Sequence, residues 1–285
     1  MIRKNMSGKP AAQVEINILN RLKELFEKKG WTIDENSEIS TFSRYYETLK
    51  ILDREQQEFL LNLSDRFIHL TVNDYLENML EPLSKLRDEY KGANLIFLPC
   101  LPESDANKIK SSSLMIYQLK GTTIKSKIEL KPFFVGDFHI LKFLSNEGDS
   151  GKNMIVLVDD FIGTGETALG AVEYIHKLIP SIKDNNHIVV LSIIAMREGV
   201  NTLDSQHIKV YSKIICGRGI SDEYTGVELS QATAIMHSIE SKIKKLDKEM
   251  EFGYKGSEAL VCMERCPNNT FPIYWKMKNI APYER

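Results

Sequence analysis

The feature that most constrains this chain is the apolar run Met154–Val158, which ends at once in Asp159-Asp160 and is followed by Gly163-Thr164-Gly165-Glu166-Thr167. A short, wholly apolar run bounded by turn residues reads as a buried strand. The next stretch, Ala168 to Ile179, carries Leu169, Val172, Ile175 and Leu178 at helical spacing until Pro180 stops it. With the apolar run His187 to Met196 behind it, this is a strand–helix–strand crossover, the unit of a parallel sheet.

The chemistry of the junction follows from its residue types. Two adjacent carboxylates at the C-terminal end of a buried strand stand where parallel sheets present their ligands, and they are costly there unless something uses them. For the acid pair alone, a strand ending in a polar turn remains an alternative. The glycines permit close backbone approach, and the free N–H groups of the first helical turn suit a dianionic phosphate. Thr164 and Thr167 add hydroxyl donors. Each charge-assisted hydrogen bond contributes about 1.5–3 kcal/mol, against roughly 0.3–1 kcal/mol for the helix dipole, so direct donors dominate. Ionised Asp159 and Asp160 accept from the vicinal hydroxyls of a ribose. A sugar phosphate satisfies both halves of the motif, whereas a bare phosphate leaves the acids idle.

Other nucleotide motifs fit less well. Gly163-x-Gly165-x-x-Ala168 matches the spacing of a dinucleotide fingerprint. That motif puts a pyrophosphate directly at the strand end, where Asp159 and Asp160 would repel it. Gly151-Lys152 is followed by Asn153 and precedes the strand, so it is not a phosphate loop of the G-x-x-x-x-G-K-[ST] kind. Lys131-Pro132-Phe133 lies upstream of the acids, the wrong order for a phosphoacceptor receiver domain.

Residues 11–90 read as helical. Val14, Ile18, Leu22, Leu25 and Phe26 form one stripe before Gly30, and Phe59, Leu60, Leu63, Phe67 and Leu70 a second, with Asp53 and Gln56 at capping-box spacing. Tyr75, Met79, Leu83 and Leu86 form a third, with an interruption expected at Glu81-Pro82. After Lys91-Gly92 the character changes to short apolar runs: Asn94 to Pro99, Lys127 to Val135, Met154 to Val158, His187 to Met196 and Ile208 to Cys216. A long helix is expected over Val227 to Met250 from Ile235, Ile239, Ile243, Leu246 and Met250. The division expected is a helical extension over residues 1–92 and an α/β domain over 93–285.

The order of an apolar run, Asp159-Asp160, Thr164-Gly165 and Thr167 resembles the signature of type I phosphoribosyltransferases. The resemblance implies an α/β fold, a central, mostly parallel sheet flanked by helices, with residues 1–92 as an N-terminal helical extension. It implies phosphoribosyl pyrophosphate or a ribose 5-phosphate nucleotide as ligand and the making or breaking of an N-glycosidic bond. Asp159 and Asp160 would be the catalytic acids that hold the ribose hydroxyls. Gly163, Thr164, Gly165, Glu166 and Thr167 would hold the 5-phosphate. Magnesium, bridging pyrophosphate and sugar oxygens, is the implied cofactor, with its protein ligands unknown. Gly253-Tyr254-Lys255-Gly256, Pro267-Asn268-Asn269-Thr270 and Trp275 are similar to the closing motifs of phosphoribosyltransferase-like proteins associated with bacterial conflict systems. This implies an alternative role as a nucleotide-sensing or effector module in antiphage defence, with protein partners from a defence operon and homodimerisation.

For the pyrophosphate, the loop after Leu98-Pro99-Cys100 offers Lys110 with Ser111, which equally fit an exposed turn and a helix cap. Arg218, in Cys216-Gly217-Arg218-Gly219, is a further candidate or a solvated turn residue. Asn268 to Phe271 with Trp275 fit either a base pocket or an Asn-rich turn over a buried ring. None of the six histidines is assigned a role. The 37 Lys and Arg nearly cancel the 39 Asp and Glu, so direct nucleic-acid binding is not indicated. The apolar runs are too short to span a bilayer and the first residues lack a secretory pattern, so a soluble cytoplasmic protein is expected. The four cysteines have neither disulfide-scaffold nor zinc-finger spacing.

Overall fold

The computed structural model describes residues 9–106, 108–128, 132–134, 153–182 and 184–285, with backbone alone for 9–16. The side chain of Val14, and Lys131, His139, Gly151 and Lys152, lie outside the described residues. The chain forms two compact units, one of Met1–His69 with Arg218–Arg285 and one of Leu70–Gly217.

The first unit opens with α1 (Lys9–Lys29), α2 (Thr41–Lys50), α3 (Arg54–Asp65) and the short β1 (Ile68–His69). α1 buries Leu22, Leu25 and Phe26 and ends at Gly30, whose φ of 66° terminates the helix. α3 starts in the expected capping box, in which Asp53 and Gln56 each accept from the other's backbone N–H.

The second unit begins with α4 (Val72–Glu89), β2 (Asn94–Pro99), α5 (Ser111–Leu119), α6 (Thr122–Lys127) and β3 (Phe133–Phe134). It continues through β4 (Asn153–Val158), β5 (Phe161–Ile162), α7 (Glu166–Leu178), β6 (Ile188–Met196), α8 (Arg197–Asp204) and β7 (Lys209–Cys216). Among the described residues its sheet has six strands and every pairing is parallel. β2 lies between β3 and β4, and β4 pairs with the first part of β6. β5 pairs with the last part of β6, and β7 also pairs with β6. This is the expected mostly parallel α/β sheet flanked by helices. β6 is buried along its whole length, as a central parallel strand must be.

Some expectations fail for physical reasons. Pro82 does not interrupt α4 but sits inside it. An internal proline costs about 3 kcal/mol. Tyr75, Met79, Leu83 and Leu86 of the same helix are fully or nearly fully buried, at about 1.5–3 kcal/mol per large apolar side chain, and this offsets the loss. The expected strand Lys127 to Val135 begins instead as the end of α6, and only Phe133–Phe134 pairs with β2. The Gly92 break is a turn between α4 and β2 of one unit, with φ 92°.

The chain then completes the first unit with α9 (Gly226–Glu240) and β8 (Val261–Cys262), which pairs with β1. α9 stops ten residues before the expected Met250: Ser241 N–H returns to His237 O, Ile243 N–H to Glu240 O, and Lys245 takes φ 57°. Ile243 is nevertheless buried and Leu246 packs on the same core. The helical spacing beyond Glu240 thus came from a folded-back segment meeting one apolar surface.

Glu240, 3 % exposed, accepts the Phe252 N–H at 3.1 Å on both oxygens. Burial, with Glu251 and Glu258 nearby, pushes its carboxyl up to about 7. The stability linked to this raised value is complete below about pH 4.5 and lost as pH rises through about 7. Glu240→Gln is therefore expected to match the parent near pH 4 and to exceed it by up to roughly 3 kcal/mol above pH 7, measured by urea unfolding across that range.

Candidate functional site

Asp159 and Asp160 leave the C-terminal end of β4, as expected, but they are not equivalent. Asp159 is half-buried, whereas Asp160, expected to be exposed, is only 6 % exposed. Asp159 N–H donates to Leu191 O at 3.1 Å, and Asp160 O accepts from Ile193 and Ile194 N–H at 3.3 and 3.2 Å, which ties both backbones to β6. Asp159 Oδ1 accepts from the Asp160 N–H at 3.0 Å and from Ser111 Oγ at 3.1 Å. Asp160 Oδ2 accepts from the buried Tyr75 hydroxyl at 2.8 Å. Burial, then the adjacent Asp160 carboxylate and the hydrogen bond between the two carboxyls, hold Asp159 well above the usual carboxylate range.

The phosphate-loop candidates follow directly. Gly163, Thr164 and Gly165 form bends, and Gly165 enters α7 at φ 89°, a left-handed conformation natural only to glycine. The N-cap residue of α7 is Gly165, which brings no side chain to the helix end, and Glu166 and Thr167 of its first turn are exposed. Thr164 Oγ1 lies 3.5 Å from the Glu166 N–H. The N-terminus of α7 thus begins one short loop beyond the acids.

Lys110 and Ser111 are brought to the same sheet end: Lys110 is the N-cap residue of α5 and Ser111 reaches Asp159. Lys110 Nζ pairs with Asp105 at 3.0 Å, and Lys108 Nζ pairs with the same carboxylate at 2.5 Å. The hydrogen bonds from Lys108 and Lys110 hold Asp105 below its usual range. Lys177 of α7 pairs with Glu103 at 2.6 Å, and a Cβ on Gly170 would lie 2.9 Å from Pro102 Cβ. The loop after β2 is thus docked on α7. Arg218 belongs to the other unit, where its N–H donates to Asp222 Oδ2 at 2.9 Å.

Two contributors escaped the sequence reading. Tyr75 was legible only as a core position. Gly199 of α8 carries no motif, yet a Cβ there would lie 2.2 Å from Gly163 O, so α8 backs the loop directly. Cys100, at the end of β2, is 1 % exposed, and burial, then Asp159, push its thiol well up. It walls the site as a neutral group.

The closing motifs bind one another. A Cβ on Gly253, at φ 82°, would lie 2.0 Å from Asn269 O, and Tyr254 N–H donates to Asn268 O at 2.8 Å. Asn269 Nδ2 donates to Ser257 Oγ at 2.8 Å and Trp275 Nε1 to Thr270 O at 2.8 Å. Of the two readings offered for this segment, the Asn-rich turn accounts for these bonds.

A sequence model of the PRTase-CE family matches residues 50–284. Comparison with curated proteins gives no match.

Proposed function

Because the chain belongs to the PRTase-CE family, which is of phosphoribosyltransferase type, we propose that it binds the ribose 5-phosphate part of phosphoribosyl pyrophosphate or of a nucleotide. The reaction proposed is making or breaking an N-glycosidic bond. The observation that carries this reading is the shared placement of an acid pair and a glycine–threonine helix start at the end of one parallel strand. In the forward direction the anomeric C–O bond to pyrophosphate breaks as a C–N bond to the acceptor forms, through an oxocarbenium-like state. In this reading the Asp159-Asp160 carboxyls would meet the sugar hydroxyls and the developing positive charge. The α7 amides, Thr164 and Thr167 would fix the 5-phosphate and so orient the ring.

Magnesium fits the hard oxygen donors of Asp159 and Asp160. Among the described residues no group of three or more His, Cys, Asp or Glu is placed to hold a metal. When bound it would neutralise the leaving pyrophosphate.

A second reading, a nucleotide-sensing or effector module of a bacterial antiphage defence system, draws support from Asp105. This acid already neutralises Lys108 and Lys110, leaving that loop less cationic toward a leaving pyrophosphate. Calorimetry with phosphoribosyl pyrophosphate, magnesium and nucleoside 5′-monophosphates, run beside a pyrophosphate-release assay over a panel of bases, separates the two. Binding with release supports the enzyme, and binding without release supports the sensor. No binding of any phosphoribosyl compound sinks both. Thr167→Val is expected to weaken binding about ten- to hundredfold, the value of one charge-assisted hydrogen bond.

A further inference from the structure

We propose that Tyr75 is a positioning residue for sugar recognition: its hydroxyl, reaching from α4 to Asp160 Oδ2, fixes the inner acid so that Asp159 is the one presented to the ribose hydroxyls. This rests on the sugar-phosphate reading of the site and divides the work within its acid pair.

The geometry is asymmetric at every contact. Asp160 is held at both ends, by Ile193 and Ile194 N–H on its carbonyl and by Tyr75 on its carboxyl. Its N–H in turn holds Asp159 Oδ1, which also takes the Ser111 hydroxyl. These two bonds orient the Asp159 carboxyl from its own backbone and from the first residue of α5, and Asp159 remains the more exposed of the two. Tyr75 itself is 0 % exposed in a stripe otherwise made of Met79, Leu83 and Leu86. A phenylalanine would fill an apolar core position without the cost of burying a hydroxyl. The hydroxyl is accounted for by the acid it meets, across 85 residues of chain.

The test is calorimetry of the full chain with ribose 5-phosphate, 2-deoxyribose 5-phosphate and inorganic phosphate, with thermal melts of each variant. The parent is expected to prefer the ribose compound. Tyr75→Phe is expected to lower that preference three- to tenfold with the affinity for inorganic phosphate unchanged, a split that a purely structural tyrosine would not produce. Asp159→Asn is expected to lose the preference entirely. Asp160→Asn, whose amide oxygen still accepts from Tyr75, is expected to lose a smaller part, and this pair decides the matter if Tyr75→Phe does not fold. A folded Tyr75→Phe with the parental preference, or equal losses in the two Asn variants, overturns the proposal. If the parent binds neither sugar phosphate, the sugar-phosphate reading falls and this inference with it.

Discussion

Replacing Asp159 with Asn is expected to cut affinity for a ribose 5-phosphate ligand about a hundredfold or more and, at the same time, to raise the melting temperature at neutral pH. The first effect follows from losing two charge-assisted hydrogen bonds at roughly 1.5–3 kcal/mol each. The second follows from the raised carboxyl of Asp159, caused by burial and then by Asp160. A carboxyl whose folded value lies above its unfolded one contributes stability that is complete below about pH 4 and lost as pH rises through the folded value. Asn has no such loss. The gain in melting temperature should be absent near pH 3 and grow as pH rises above about 4. Melts over that range check the sign, and a variant less stable than the parent at pH 7 would show that Asp159 serves the fold.

The second large effect is expected at Gly199. An added Cβ would stand 2.2 Å from the carbonyl oxygen of Gly163, a backbone atom that cannot rotate aside. Overpacking of a tight contact costs about 1–3 kcal/mol, and a backbone-to-backbone clash belongs at or above the upper end. Gly199→Ala should therefore lower the melting temperature by several degrees, at about 2–4 °C per kcal/mol for a chain of this size. Relief requires Gly163 to move by about an ångström, and a misplacement of that size can cost about a hundredfold in a positioned site. Binding of ribose 5-phosphate should fall to that extent in Gly199→Ala. A variant with the parental melt and affinity would mean that α8 yields without disturbing the loop.

What could be read from the chain beforehand was whatever lies close together along it. β4, the acid pair, the glycine loop and α7 are consecutive, so periodicity and residue type located them to within a residue or two. β2 was bounded exactly as the apolar run Asn94 to Pro99. What could not be read depends on contacts between distant segments. Gly199 meets Gly163 and Tyr75 meets Asp160 only through the sheet's crossovers, and a single glycine or tyrosine carries no local sign of either. Pro82 misled because burial outweighed a local preference, and the stretch after Glu240 misled because a reversed chain kept a helical spacing of apolar residues.

The unit built from two stretches of chain on either side of the sheet unit has a consequence for synthesis. α1–α3 are made before the Leu70–Gly217 unit, and the partners of their core after it: Phe67 stacks on Tyr283 at 5.3 Å, Gln56 bonds Ser238, Thr48 bonds the Ile280 carbonyl, and β1 pairs with β8. At about 5–20 residues per second, the Leu70–Gly217 unit delays those partners by roughly 7–30 s. During that interval Phe26, Phe42, Tyr45 and Leu60 lack the Arg218–Arg285 part of their core, including Phe271, Tyr274 and Tyr283. A nascent chain halted before α9 would therefore carry an adhesive helical start without its core partners, a natural client for a chaperone.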